Sequence, residues 1–365
     1  MAAVGRILLI ILVILVIAVG AGFFLLPNTA SKTESISVSS PAPTVLARLA
    51  STPAGTQLAE GVTLTEVTST EGDTVVGTVA YADQGVGRVT YTVTPEGEGS
   101  NVRMRLEKDL GSNPVARFTA IGGGPVTPVM EAAVATVTGD LTSLPNATFE
   151  GLAYVVEQVA AQPFFYVENC SDTSAESITS IIQQATEAIP PIMRTTGLTP
   201  TGPLMAVEPR VVGGQYCYQV GYPYRGRTPR ALLIGKVGQT PSGTVLRLRY
   251  DGEEAGVMPQ VYNRVDALLA AARVDDPATS EDDWTTYEIY NDDPTQAGGS
   301  RSRDVFYVAQ GDITPVTNLV APASALPAPA PTAPAAAEPA ATPEAAPETP
   351  AATPAETPEP APATP

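Results

Sequence analysis

Hydrophobic and polar positions in the middle of the chain spell one pattern twice. In residues 152–224 an apolar strand (152–159) and a second strand (164–168) precede a helical stretch, 175–193. There Ile178, Ile181, Ile182, Ala185 and Ile189 recur at three- and four-residue spacing. Two further strands follow, at 203–207 and 215–222. Residues 229–309 repeat the order: strands at 231–237 and 245–250, a helix carrying Val257, Val261, Val265, Leu268 and Leu269, then strands at 284–290 and 304–309. A helix over one face of a small sheet leaves the other face bare, so neither copy closes a core alone. Side by side they predict one longer sheet with a shared groove. Aligning the copies sets Met205 where the second has Glu288, so the repeat is symmetric in shape but not in charge.

Residues 33–146 follow a different pattern. A strand at 35–39 leads through Pro41-Ala42-Pro43 into a short helix ending at Ala50. Strand-like runs then occupy 62–68, 74–81, 87–94, 101–107 and 115–121, separated by turn residues such as Glu71-Gly72-Asp73 and Glu96-Gly97-Glu98-Gly99. A closing helix at 127–144 carries Val129, Ala133, Val137 and Leu141 as one apolar stripe. The expected fold class is α+β: a helix-gripped antiparallel sheet, then the duplicated unit at 150–311.

The two ends read differently again. Residues 7–26 are uncharged and apolar, and twenty helical residues span roughly 30 Å, a bilayer's hydrocarbon thickness. A transmembrane anchor is expected. The rival is a cleaved signal peptide, but its apolar region usually runs about 7–15 residues and ends at a small-x-small site; Asn28-Thr29-Ala30 fits poorly. Arg6 precedes the span and Lys32 follows it beside Glu34, which leans toward a cytoplasmic N-terminus. The expected placement is a single-pass inner-membrane protein with its body in the periplasm or outside. Residues 315–365 are Ala, Pro, Thr and Glu in loose repeats, expected as a disordered acidic tail that acts as a spacer or meets an envelope partner.

Composition removes most chemistries. With 38 acidic against 20 basic residues and a net charge of −18, no basic stripe exists for nucleic acid. Histidine is absent, which excludes Ser-His-Asp and Cys-His catalysis and the usual His-bearing zinc sites. No metal and no cofactor are expected. Cys170 and Cys217 are too few for a thiolate cluster, and in an exported protein two cysteines pair more often than they stay free. They are a disulfide candidate.

What remains is an acid in the middle of a strand. Alternation puts Trp284, Thr286, Glu288 and Tyr290 on one face and Tyr287 and Ile289 on the other. With helices over the Tyr287 face, the Glu288 face would be the groove. A carboxylate flanked by aromatics can hold a cation by charge and ring quadrupole, or serve as a general acid or base if desolvated. The bland alternative is a structural ion pair with Arg247 or Arg249, which by the same alternation face the groove. The candidate ligand-binding set is therefore Glu288, Tyr290, Trp284, Tyr166, Arg247 and Arg249, with Glu288 and Tyr290 the catalytic candidates. The tyrosines taken singly also suit strand packing.

The tract Tyr287-Glu288-Ile289-Tyr290-Asn291-Asp292-Asp293-Pro294 resembles the W-E-x-Y-x-x-x-P segment of GyrI-like effector-binding domains, and the duplicated plan matches over about 160 residues. Tyr287 stands where that family has Trp, and Gly252-Glu253-Glu254 where it has H-x-G-P-Y. The resemblance implies a groove for small lipophilic or cationic ligands with the strand Glu at its floor; some stand-alone members hydrolyse electrophilic molecules. Val38-Ser39-Ser40-Pro41-Ala42-Pro43 and the helix after it resemble the opening of START-like (SRPBCC, polyketide cyclase) domains. Together these readings expect a membrane-tethered binder of a small hydrophobic or cationic molecule, with a Glu-dependent hydrolase or a non-catalytic envelope scaffold as alternatives.

Overall fold

Alternating inward and outward residues build two antiparallel sheets, seen in a computed structural model that describes Val13 and residues 27–326 apart from 84, 113, 121–123, 125, 173, 213–214, 230–231 and 275–283. The expected span at 7–26 lies outside the described residues but for Val13, as does the tail beyond residue 326. Among the described residues no helix is long and apolar enough to cross a membrane. The architecture is α+β.

The first sheet comprises β1 (Thr29–Val38), β2 (Gln57–Ala59), β3 (Val62–Glu71), β4 (Thr74–Tyr81), β5 (Val86–Glu96) and β6 (Gly99–Asp109), in the order β1-β6-β5-β4-β3-β2. Helix α1 (Ala42–Ala50) follows β1. After β6 the expected strand at 115–121 is instead a short helix, α2 (Pro114–Thr119). Both edges of β6 are already taken by β1 and β5, and proline is pre-set for a helix start. The closing helix α3 (Thr127–Thr142) buries Met130, Ala133, Val137 and Leu141. Ala133, Val137 and Leu141 are the expected stripe; Met130 joins it fully buried, and the expected Val129 packs against the same core partly buried.

The second sheet holds β7 (Val155–Val159), β8 (Pro163–Ser171), β9 (Thr199–Pro200), β10 (Met205–Val212), β11 (Gln215–Arg225), β12 (Lys236–Gln239), β13 (Gly243–Asp251), β14 (Thr285–Tyr290) and β15 (Ser302–Val308). Its order is β12-β8-β11-β10-β14-β15-β13-β7, with β9 on β11. Each copy lends its first strand to the other: β7 pairs with β13, and β12 with β8. That exchange is how two halves with bare faces complete one sheet. The strand expected at 231–237 starts only at Lys236, leaving Leu233 and Ile234 exposed.

Both long helices stand on one face of this sheet. Helix α4 (Ala175–Thr195) starts at Ser174, whose hydroxyl accepts from the Ser177 N–H, and it packs Ile182, Ala185, Ile189 and Met193 against Phe165, Val220 and Tyr224. The second runs as α5 (Glu254–Val257), a π-helical turn (Met258–Tyr262) and α6 (Asn263–Ala271), burying Val257, Val261, Val265 and Leu268 on Leu246, Leu248, Val305 and Tyr307. Cys170 and Cys217, directly opposite across β8 and β11, form a disulfide. Closing a loop with sequence separation 47 stabilises by about 4 kcal/mol in the chain-entropy model.

The tail begins later than its composition suggests. Helix α7 (Thr314–Leu319) follows Asp312, which accepts from the Thr314 N–H at 2.9 Å, and buries Val316 in the second core. The Tyr154 hydroxyl donates to Val320 O at 2.5 Å, and the Ala323 N–H to Tyr154 O at 2.8 Å. Val316, Leu319 and Val320 supply the apolar surface that the residues beyond them lack.

A polar clamp joins the halves. Arg48 of α1, 3% exposed, donates to Asp140 of α3 at 2.6 Å and to Ala270 O of α6 at 2.7 Å. The Ser51 hydroxyl donates to Ala271 O at 2.5 Å. Two of the last carbonyls of α6 are thus tied to the other half, Ala270 O in addition to the Arg273 N–H it accepts at 3.1 Å from its own helix end. Arg273 reaches back to Asp140 at 2.7 Å. Its φ of 59° lies in the left-handed region where glycine is usual, a strain on the order of 1–3 kcal/mol that the ion pair offsets.

Candidate functional site

Glu288 interrupts an apolar row. The strand register aligns Val167, Val220, Ala206, Glu288, Val305 and Leu248 across six strands, and Glu288 is the one ionisable side chain among them. Directly opposed residues in antiparallel strands share a face, and Val220, Val305 and Leu248 pack beneath the helices. Glu288 therefore lies on the helix-bearing face, on a central strand between the half covered by α4 and the half covered by α5–α6.

The next row places Arg303 opposite both Tyr290 and Tyr250. Arg303 is fully buried, at 0% exposure. It donates to Glu288 Oε2 at 3.0 Å, to Glu254 Oε2 at 2.6 Å and to Ser300 O at 3.2 Å. Its guanidinium stands 5.0 Å from the Tyr290 ring centroid, within cation–π range. Its buried Nε makes no hydrogen bond among the described residues. The Tyr262 hydroxyl donates to Glu288 Oε1 at 2.8 Å. Tyr262 closes the π-helical turn, a departure from α geometry that recurs at functional positions.

Two carboxylates thus face one guanidinium, a net charge of −1 when all three are ionised. Burial alone would lower the Arg303 pKa, but Glu288, Tyr290 and Glu254 outweigh it and push it up, so the guanidinium stays charged. Burial raises Glu254 above its ordinary 4.5; Arg303 opposes the rise and Glu288 adds to it. Burial, then the adjacent Glu288 charge, holds the Tyr290 phenol well above the usual tyrosine range, so it remains a neutral donor.

Several expected positions are corrected. The helices cover the Glu288 face, not the Tyr287 face, because alternation fixes which residues share a side but not which side meets the helices. Arg247 and Arg249 lie on the opposite face, since Leu248 shares the Glu288 row. There Arg247 pairs with Glu157 at 3.0 Å and Arg249 with Asp304. The neutralising base is Arg303. Tyr166 also lies on that other face, stacked on Phe164 with centroids 5.5 Å apart, beside a cluster containing Tyr287 and Phe306. Ala206, not Met205, stands directly opposite Glu288, and Met205 lies on the far face with Tyr287 and Phe306; a one-residue offset reverses a strand side chain. Trp284 shares the Glu288 face but packs in the core under α5–α6. Of the expected set, the structure gathers Glu288 and Tyr290.

Sequence reading missed Arg303, Glu254 and Tyr262. Pairing 290 against 303 would have found Arg303, and Glu254 stands in the tract Gly252-Glu253-Glu254 that replaces a family motif. Tyr262 had no signal, because the π turn shifts the helix out of its 3.6-residue register. A cleft of about 510 Å³ lies elsewhere, between α1, the 149–151 connection and α7, lined by Leu46, Ala50, Phe149 and Leu319 among others.

No family model and no curated protein matches the chain. Similar solved structures include SAV2435 bound to tetraphenylphosphonium, at 12% identity and TM-score 0.33, covering 44% of this chain and 95% of that one. A hydrolase encoded by lin2189 from Listeria innocua has 12% identity and TM-score 0.29, covering 42% and 90%. DynU16, from the dynemicin biosynthetic locus, has 11% identity and TM-score 0.21, covering 80% and 92%. At these scores the likenesses decide nothing about activity.

Proposed function

We propose that this chain is a membrane-tethered binder of small lipophilic cations, with its site at Glu288, Arg303 and Glu254. The observation that carries the reading is the excess of one carboxylate in a buried, tyrosine-lined cluster at the seam between two half-cores. Burying that surplus charge costs stability in the empty protein, and a hydrophobic cation relieves the cost. The way in is at Glu254, whose side chain is 14% exposed on a four-residue helix. Both oxygens of Glu288 already accept hydrogen bonds, so nothing favours hydrolysis over binding. Tethering rests on the uncharged stretch at 7–26, and the disulfide suits an oxidising compartment outside the cytoplasm.

Trp284 is the chain's one tryptophan and shares the strand face of Glu288, so its fluorescence reports on the site. Titration with tetraphenylphosphonium is expected to change that emission saturably, and Glu288→Gln to weaken binding at least tenfold, about 1.4 kcal/mol. Equal affinity in wild type and variant would remove the proposal.

A pH dependence follows from Glu254, which faces Arg303, Glu288 and Tyr250. Its native pKa lies above 4.5, so as pH rises from 4.5 through the native value the folded state holds its proton longer than the unfolded one. Stability declines over that window while cation affinity rises. Glu254→Gln is expected to flatten both trends, measured as denaturation midpoint and affinity against pH.

A further inference from the structure

Large exposed apolar side chains are few among the described residues, and three in the first half gather at one end of its sheet. Val86 opens β5 at 58% exposure, and Val115 and Phe118 stand at 69% and 68% on α2. The register puts the start of β1 and the end of β6 together, Thr29 opposite Asp109, with Gly87 opposite Lys108 on the next strand. The Leu110 N–H donates to Asn28 O at 3.0 Å. Helix α2 is held at this end by Arg117, whose Nε donates to Gly111 O at 2.9 Å. Val115 and Phe118, three residues apart, lie on one side of it. The uncharged stretch at 7–26 therefore enters the fold, through Pro27 and Asn28 alone, at the sheet end that carries these side chains.

We infer that this end of the first sheet rests on the bilayer, with Val86, Val115 and Phe118 entering the interfacial layer beside the anchor. The inference depends on the tethering reading above. A two-residue connection holds the sheet end within a few ångströms of a membrane-spanning segment, since a residue extends at most about 3.6 Å. Exposed valine and phenylalanine are costly in water but stabilised at the boundary of headgroup and acyl chain. Charge contributes little here: Lys108 is paired with Asp83 at 2.5 Å and lies over the Tyr81 ring. Neutral lipid is therefore sufficient, and added salt leaves the contact in place.

The test uses the full chain, disulfide intact, reconstituted in phosphatidylcholine vesicles. Single cysteines at Phe118→Cys, Val86→Cys and, at the opposite sheet end, Glu98→Cys carry an environment-sensitive dye. Flotation is measured first, then quenching by lipids with a nitroxide near the headgroup. Flotation with several-fold stronger quenching at 118 and 86 than at 98 is the expected result. Flotation with equal, weak quenching at all three sites overturns the docking surface and leaves the anchor standing. Failure to float overturns the tethering reading and this inference with it.

Discussion

Asp140→Ala is expected to destabilise the protein by roughly 3–5 kcal/mol, the usual range when one partner of a buried ion pair is removed. The variant leaves Arg48, 3% exposed, and Arg273, in its strained backbone conformation, without their shared carboxylate. A guanidinium cannot escape by losing its proton. The loss also reaches the junction: Arg48 would still cap Ala270 O but without the Asp140 carboxylate to orient it, so α6 is expected to loosen from α1. Urea denaturation should show a lower midpoint, and hydrogen exchange should show faster exchange at the end of α6. An unchanged midpoint would mean the clamp is solvated and inert. The wild type carries a matching pH signature. Burial alone would raise Asp140, but Arg273 and Arg48 hold it below 3.8. Its contribution is present above that value and lost as pH falls through the lower native pKa; Asp140→Ala should lack this acid transition.

Glu288→Ala is expected to cost about 3 kcal/mol, near the lower end of the buried-pair range because Glu254 still faces Arg303. Glu288→Gln keeps an acceptor and should cost less. The informative variant replaces both partners, Glu288→Met with Arg303→Met. Apolar side chains of similar volume often match or exceed a buried ion pair in stability, and Glu254, partly exposed, can meet water or take up a proton. Recovery of most of the stability together with absence of tetraphenylphosphonium binding is the expected pair of results. It would separate a ligand site from a purely structural ion pair, for which the double variant would bind or fail to bind just as the wild type does. Persistence of binding without either charge would count against the cluster as the site.

Period and alternation determined much of this protein before any contact was known. The isoleucines of 178–189 and the valines of 257–265 wrote both helices of the duplicated unit, because burial every three or four residues has one local solution. Alternation set Glu288 beside Tyr290 on one strand face, and the bare second face of each copy required a shared sheet. Local pattern did not contain the exchange of β7 and β12 between copies, or the choice of which face the helices cover. Both depend on pairing between residues far apart in sequence. The helix α2 in place of a strand was decided by occupied sheet edges, and the folding of residues 314–320 by a hydrophobic surface waiting under Tyr154. The partner of Glu288 was the largest such decision. Arg247 and Arg249 were nearer in pattern, yet a register that aligns Leu248 with Val305 and Glu288 turns them to the far side. It brings Arg303, Glu254 and Tyr262 to the acid instead. Sequence supplied the charge in the strand; tertiary structure alone determined that it is buried beside one base, one hydroxyl donor and one further acid, because only packing fixes which polar groups lose their water together.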